Sequence, residues 1–140
     1  MTVTDPNVRN RPTVIDFYDA LRSADMARVA DIVDERFTED VSLIIPPSLS
    51  YGGKTTGNDA IKKLLRGISH PKSPVDIATL TIERIAADRD QVAAQISFSW
   101  RIPAGEAIPT SVVEWFTFRD GKVAELTVFY FDTARWIAST

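Results

Sequence analysis

The chain has 140 residues, 44% of them hydrophobic and 25% charged, with a formal net charge of -3 and no cysteine. That length fits one domain with a real core, and the composition excludes a disordered chain, while the scattered basic residues give no electrostatic footprint for nucleic acid or an anionic membrane. Without thiols there are no disulfides, thiolate zinc sites or cysteine nucleophiles, and with no apolar run long enough for a secretory or membrane-spanning segment the expected location is cytoplasmic.

Residues 1–12, "MTVTDPNVRNRP", are polar with two prolines and read as a flexible N-terminal arm, leaving 13–140 as a single domain. Val14, Phe17, Tyr18 and Leu21 then follow the i, i+3, i+4, i+7 spacing of one helix face, started by Pro12 or Thr13. After the "RSAD" break Met26, Val29, Ala30 and Val33 repeat that spacing, with Asp25 as the cap and Phe37 one turn further on. The stretch "VSLIIPPSLSYGGKTTG" predicts a short strand, a loop and a turn. Asn58 is placed to cap a third helix whose stripe is Ile61, Leu64, Leu65 and Ile68, stopped before Pro71.

Beyond Pro74 the period changes to two. Strands are expected over about 75 to 87, 91 to 102, 108 to 118 and 122 to 132, joined by "DRD", "PAGEA" and "RDG". Three helices followed by a run of antiparallel strands predict an α+β fold, with the helices laid on one face of a bent sheet.

Within "SVVEWFTFRDGKV" alternation puts Val112, Glu114, Phe116 and Phe118 on one face, and Val113 and Trp115 on the other. A three-residue loop with Gly121 in a G1 bulge sets Phe116 opposite Ala124, Glu114 opposite Leu126 and Val112 opposite Val128; a two-residue Asp120-Gly121 loop sets Phe116 opposite Glu125. The first register is expected, because it gathers Val112, Glu114, Phe116, Ala124, Leu126, Val128, Tyr130 and Asp132 on one face. The other face carries Val113, Trp115, Phe129 and Phe131, which an open sheet does not leave wet, so a homodimer through that face is expected.

The phrases "VIDFYDALRSADMARVADIV", "YGGKTTGNDAIKKLL" and "FRDGKVAELTVFYFD", in that order, resemble the NTF2-like superfamily, in particular its SnoaL-like and ketosteroid-isomerase-like branch. The resemblance covers residues 13–136 and implies a cone-shaped α+β fold (cystatin-like), in which a curved, mostly antiparallel sheet is wrapped by three N-terminal helices around a deep apolar pocket, often in a dimer. It also implies site residues. Tyr18 and Glu114 match the tyrosine and acid that polarise a carbonyl in ketosteroid isomerases, whereas Ile45, before Pro46, replaces that family's aspartate base. Asp132 matches the strand-ending aspartate of limonene-epoxide-hydrolase-like enzymes, whose arginine and aspartate partners are replaced by Ile96 and Phe98; the histidine of some SnoaL-like cyclases has no counterpart.

Each candidate has a plain alternative. A carboxylate on an apolar face is desolvated and suited to proton transfer, but Glu114 is equally compatible with an arginine pair or a wet sheet margin. Asp132 is a good cap for the following "TARW", Tyr18 belongs to a helix stripe of core type, and Ile96, Phe98 and Trp100 read as pocket wall or ordinary core. "GGKTTG" is no Walker loop, since the glycine required five residues before Gly53 is Ser48. His70, the sole histidine, stands alone beside Pro71, and no metal site is expected.

The expected function is therefore a cofactor-independent SnoaL-like enzyme, of isomerase, hydrolase or cyclase type, acting on an apolar carbonyl- or epoxide-bearing ligand. Glu114, Tyr18 and Asp132 are its expected catalytic residues, and Ile45, Phe98, Trp100, Phe116, Val128 and Tyr130 its expected substrate contacts. A non-catalytic protein binding a hydrophobic ligand is the alternative. An interaction protein using the outer aromatic face is a third, and it requires a filled cavity.

Overall fold

The computed structural model describes residues 6–102 and 106–135. Helix α1 spans Pro6–Arg22, α2 Met26–Arg36 and α3 Asn58–Ile68; strands are β1 Phe37–Ile45, β2 Gly53–Thr56, β3 Val75–Asp88, β4 Gln91–Arg101, β5 Ala107–Arg119 and β6 Lys122–Tyr130. The apolar stripes are buried as the spacing predicts: Val14, Phe17, Tyr18 and Leu21 on α1, Val29 and Val33 on α2, Ile61 and Leu65 on α3. The Asp25 carboxylate accepts from Arg28 N at 3.1 Å and caps α2.

The helix starts and ends differ from expectation where tertiary contacts intervene. Helix α1 begins at Pro6, so most of the expected arm is helical and Pro12 lies inside it; residues 1–5 of that arm are outside the described residues. Buried Asn10 explains the extension, because its Nδ2 donates to the Arg89 carbonyl at 3.2 Å and fastens that turn to the β3–β4 hairpin. Gly57, not Asn58, caps α3: its φ of 100° lies in the region open to glycine, and its N–H donates to the Val41 carbonyl at 2.8 Å. Phe37 leaves the helix and opens β1, where its ring meets Phe17 at 5.3 Å. "GKTT" is paired with β1 as β2, an edge strand where a turn was expected.

The six strands run in the order β2-β1-β6-β5-β4-β3. All neighbours are antiparallel except β1 and β6, the first long strand lying parallel beside the last. This parallel pairing brings Leu43 opposite Leu126 and adds β1, with Leu43 and Ile45, to the concave face beside β6.

The β5–β6 turn corrects the expected register. Asp120 and Gly121, at φ 52° and 79°, form a two-residue hairpin with Arg119 opposite Lys122 and Phe118 opposite Val123. A register shift between Thr117 and Phe118 then skips Ala124, so Phe116 lies opposite Leu126, Glu114 opposite Val128 and Val112 opposite Tyr130. The bulge sits in the strand rather than in the turn. One extra residue restores the parity of the faces, so Val112, Glu114, Phe116, Leu126, Val128 and Tyr130 still share the concave side.

Phe116 anchors the core between sheet and helix, edge-on to Tyr18 at 5.9 Å and to Phe17 at 6.2 Å. On the convex face Val113 is half-buried, whereas Trp115 and Phe129 are 44% and 54% exposed and Phe131, just past β6, is also exposed. Among the described residues no helix is long and apolar enough to cross a membrane.

Candidate active site

Between the helices and the concave sheet lies a cavity of about 360 Å³, at the small end of the roughly 300–1,000 Å³ usual for small-molecule sites. It is not filled core. Helix α1 supplies Tyr18, β1 Ile45, β4 Ile96, Phe98 and Trp100, β5 Glu114, and β6 Val128 and Tyr130. Alternation on three adjacent strands dictates this lining, because every second residue of β4, β5 and β6 faces inward.

Glu114 is the sole acid among the lining residues. Its partners directly across the sheet are Ala94 and Val128, neither of them polar. Tyr18 reaches down from α1 and its hydroxyl donates to Glu114 Oε1 at 2.6 Å. The ion pairs among the described residues use other acids, so the arginine partner allowed by the sequence is not what Glu114 has.

The electrostatics follow from that placement. Loss of hydration raises the Glu114 pKa from 4.5 to about 7, against the opposing pull of the Tyr18 hydrogen bond, which favours the carboxylate. Burial pushes Tyr18 well above the usual phenol range, and the charge and hydrogen bond of Glu114 push it the same way. The pair thus keeps its phenolic proton while the carboxyl exchanges its own around neutrality. Chemically it can polarise an oxygen, or take and return a proton.

Two expected site residues are placed elsewhere. Asp132 is exposed and outside the cavity lining; its Oδ1 accepts from Arg135 N at 3.0 Å, the cap allowed by "DTAR", with Trp136 beyond the described residues. Phe116 faces the right side but is sealed behind Phe17 and Tyr18, and does not line the void. Ile45, Phe98, Trp100, Val128 and Tyr130 all line it.

Tyr51 and the inner face of α3, with Leu64, Leu65 and Ile68, were missed by sequence reasoning. For α3 the signal existed, since its stripe was legible, but not which cavity it would cover. Tyr51 stacks on Trp100 with centroids 6.2 Å apart, and its hydroxyl is 2.9 Å from that of Tyr130. His70 is exposed, its Nδ1 accepting from Lys72 N at 3.0 Å, and among the described residues no group of three or more His, Cys, Asp or Glu is gathered to hold a metal ion.

Solved structures of similar shape are numerous. Bal32a from a soil-derived mobile gene cassette superposes with a TM-score of 0.80 at 20% identity, over 96% of this chain and 98% of that chain. An NTF2-like protein of unknown function from Burkholderia pseudomallei K96243 gives 0.75 at 19% identity, over 94% and 96%. A protein from Jannaschia sp. CCS1, provisionally named a SnoaL-like polyketide cyclase, gives 0.74 at 17% identity, over 99% and 96%. No curated protein matches the chain. At such identities the likeness speaks for the fold, which is NTF2-like: a cone of curved sheet and helices around a pocket. Sequence carries the assignment further, for the SnoaL-like domain family matches residues 14–126, and the chain belongs to that family.

Proposed function

We propose that this domain is an acid/base enzyme acting on an apolar carbonyl- or epoxide-bearing small molecule bound in the cavity. The observation that carries the proposal is a carboxyl group 2.6 Å from the hydroxyl of a buried tyrosine in a mostly apolar hollow, where loss of hydration raises its pKa to about 7. Near neutrality both forms of Glu114 are populated. The protonated form donates to a ligand oxygen, and the carboxylate accepts a proton from an adjacent carbon or from water. Ile45 cannot carry a proton, so polarisation and proton transfer both fall to Glu114 and Tyr18. The cyclase activity for which the Jannaschia protein is provisionally named agrees with this class of chemistry.

A second reading has its own support. Ile45, Ile96 and Phe98 make the cavity apolar at three places where the resembling enzymes carry polar groups, which suits a protein that holds a hydrophobic ligand unchanged. Hydrophobic ketones, epoxides and lactones screened by thermal shift, with mass analysis of the recovered ligand, separate the two. Conversion by the wild type and its loss in Glu114→Gln is the expected result; binding without conversion selects the carrier. We also propose that the exposed Trp115, Phe129 and Phe131, with Val113, meet a second copy of the chain, since such a patch is costly to hydrate.

A further inference from the structure

The cavity has a second polar end. Tyr51, in the segment between β1 and β2, and Tyr130, on β6, both line it and hold their hydroxyls 2.9 Å apart. Tyr130 lies opposite Val112 while Glu114 lies opposite Val128, making Tyr130 and Glu114 diagonal neighbours on the concave face; such positions are about 7–8 Å apart. Tyr18 is 1% exposed and Tyr51 38% exposed. The Glu114–Tyr18 pair is therefore the inner end, and the Tyr51–Tyr130 pair the outer one.

Tyr51 is held in place by its own segment, and Tyr130 by β6. Leu49 N donates to the Pro46 carbonyl at 3.1 Å and Gly52 N to the Leu49 carbonyl at 2.9 Å, a winding so tight that a Cβ on Gly52 would lie 1.9 Å from the Pro46 oxygen. Leu49 is buried beneath it. Tyr51 is consequently set against Trp100 with ring planes 29° apart. Phenylalanines would wall the mouth equally well, so the two hydroxyls call for a further reason. A tyrosine hydroxyl donates one proton and accepts at two lone pairs. Few polar groups in an apolar pocket serve to orient what it binds.

We propose that the Tyr51–Tyr130 hydroxyl pair is a second ligand-binding station, so that the cavity selects a flat apolar molecule of one or two rings bearing an oxygen function at each end. One oxygen meets Glu114 and Tyr18; the other meets the tyrosine pair, while the rings lie along Phe98 and Trp100. This inference rests on reading the cavity as a small-molecule site, but not on catalysis.

The test is binding by titration calorimetry at pH 6, where Glu114 is largely protonated, using β-naphthol and the naphthalenediols that carry one hydroxyl on each ring. A neutral hydrogen bond is worth roughly a two- to tenfold gain in affinity. At least one diol is expected to bind the wild type about fivefold tighter than β-naphthol, and that advantage disappears in Tyr130→Phe and in the Tyr51→Phe, Tyr130→Phe double variant. A pair acting only as a loop latch would lower the melting temperature of those variants without changing the diol-to-naphthol ratio, and that outcome overturns the inference. So does β-naphthol binding with no diol advantage in the wild type. No binding by any of these compounds removes the small-molecule reading of the cavity itself.

Discussion

Replacing Glu114 by Gln keeps the shape of the side chain and an oxygen for Tyr18 but removes the titration. In the wild type the folded chain holds a proton on Glu114 up to about pH 7, whereas the unfolded chain releases it near 4.5. The contribution of the neutral carboxyl to stability is thus fully present below pH 4.5 and is lost as pH rises through 7. At about 1.4 kcal/mol per unit, the wild type forfeits at most about 3.5 kcal/mol across that window. Other groups titrate identically in both proteins and cancel in the difference. Urea unfolding of wild type and variant from pH 4.5 to 8 is the assay. The variant gains about 3.5 kcal/mol relative to wild type by pH 8, half of it by about pH 5.8, and the difference levels off above 7. Parallel curves, or a wild type that gains on the variant as pH rises, would show a hydrated or cation-paired carboxylate and refute the reasoning.

Three further outcomes follow from the same geometry. Tyr18→Phe removes the bond that favours the Glu114 carboxylate, so the pH at which that stability difference levels off, and the midpoint of any activity profile, move above 7; a downward move contradicts the assigned donor. Phe116→Ala costs about 3–5 kcal/mol in urea unfolding because the ring is fully enclosed, while Phe98→Ala, on the cavity wall, costs clearly less; equal losses would place both in packed core. Trp115→Glu converts a dimer to a 15.5 kDa monomer in size exclusion with light scattering, and a monomeric wild type would remove the proposed interface.

Much of the site was legible locally. Spacing along α1 put Tyr18 inward, and alternation along β5 put Glu114 inward and Trp115 outward, because both periods are properties of a few consecutive residues. What the chain order alone decided ends at the faces of its elements. Only the assembled structure decided that Phe98 borders empty space while Phe116 is sealed against Phe17, since periodicity reports the side a residue faces and not the distance to the opposite layer. The bulge at Ala124 belongs to the same class, being chosen by the fit of β6 between β1 and β5. Tyr51 entered the site because a winding loop, with no period to read, folds back onto Trp100. Asp132 left it because β6 ends at Tyr130 and the next residues turn outward into solvent.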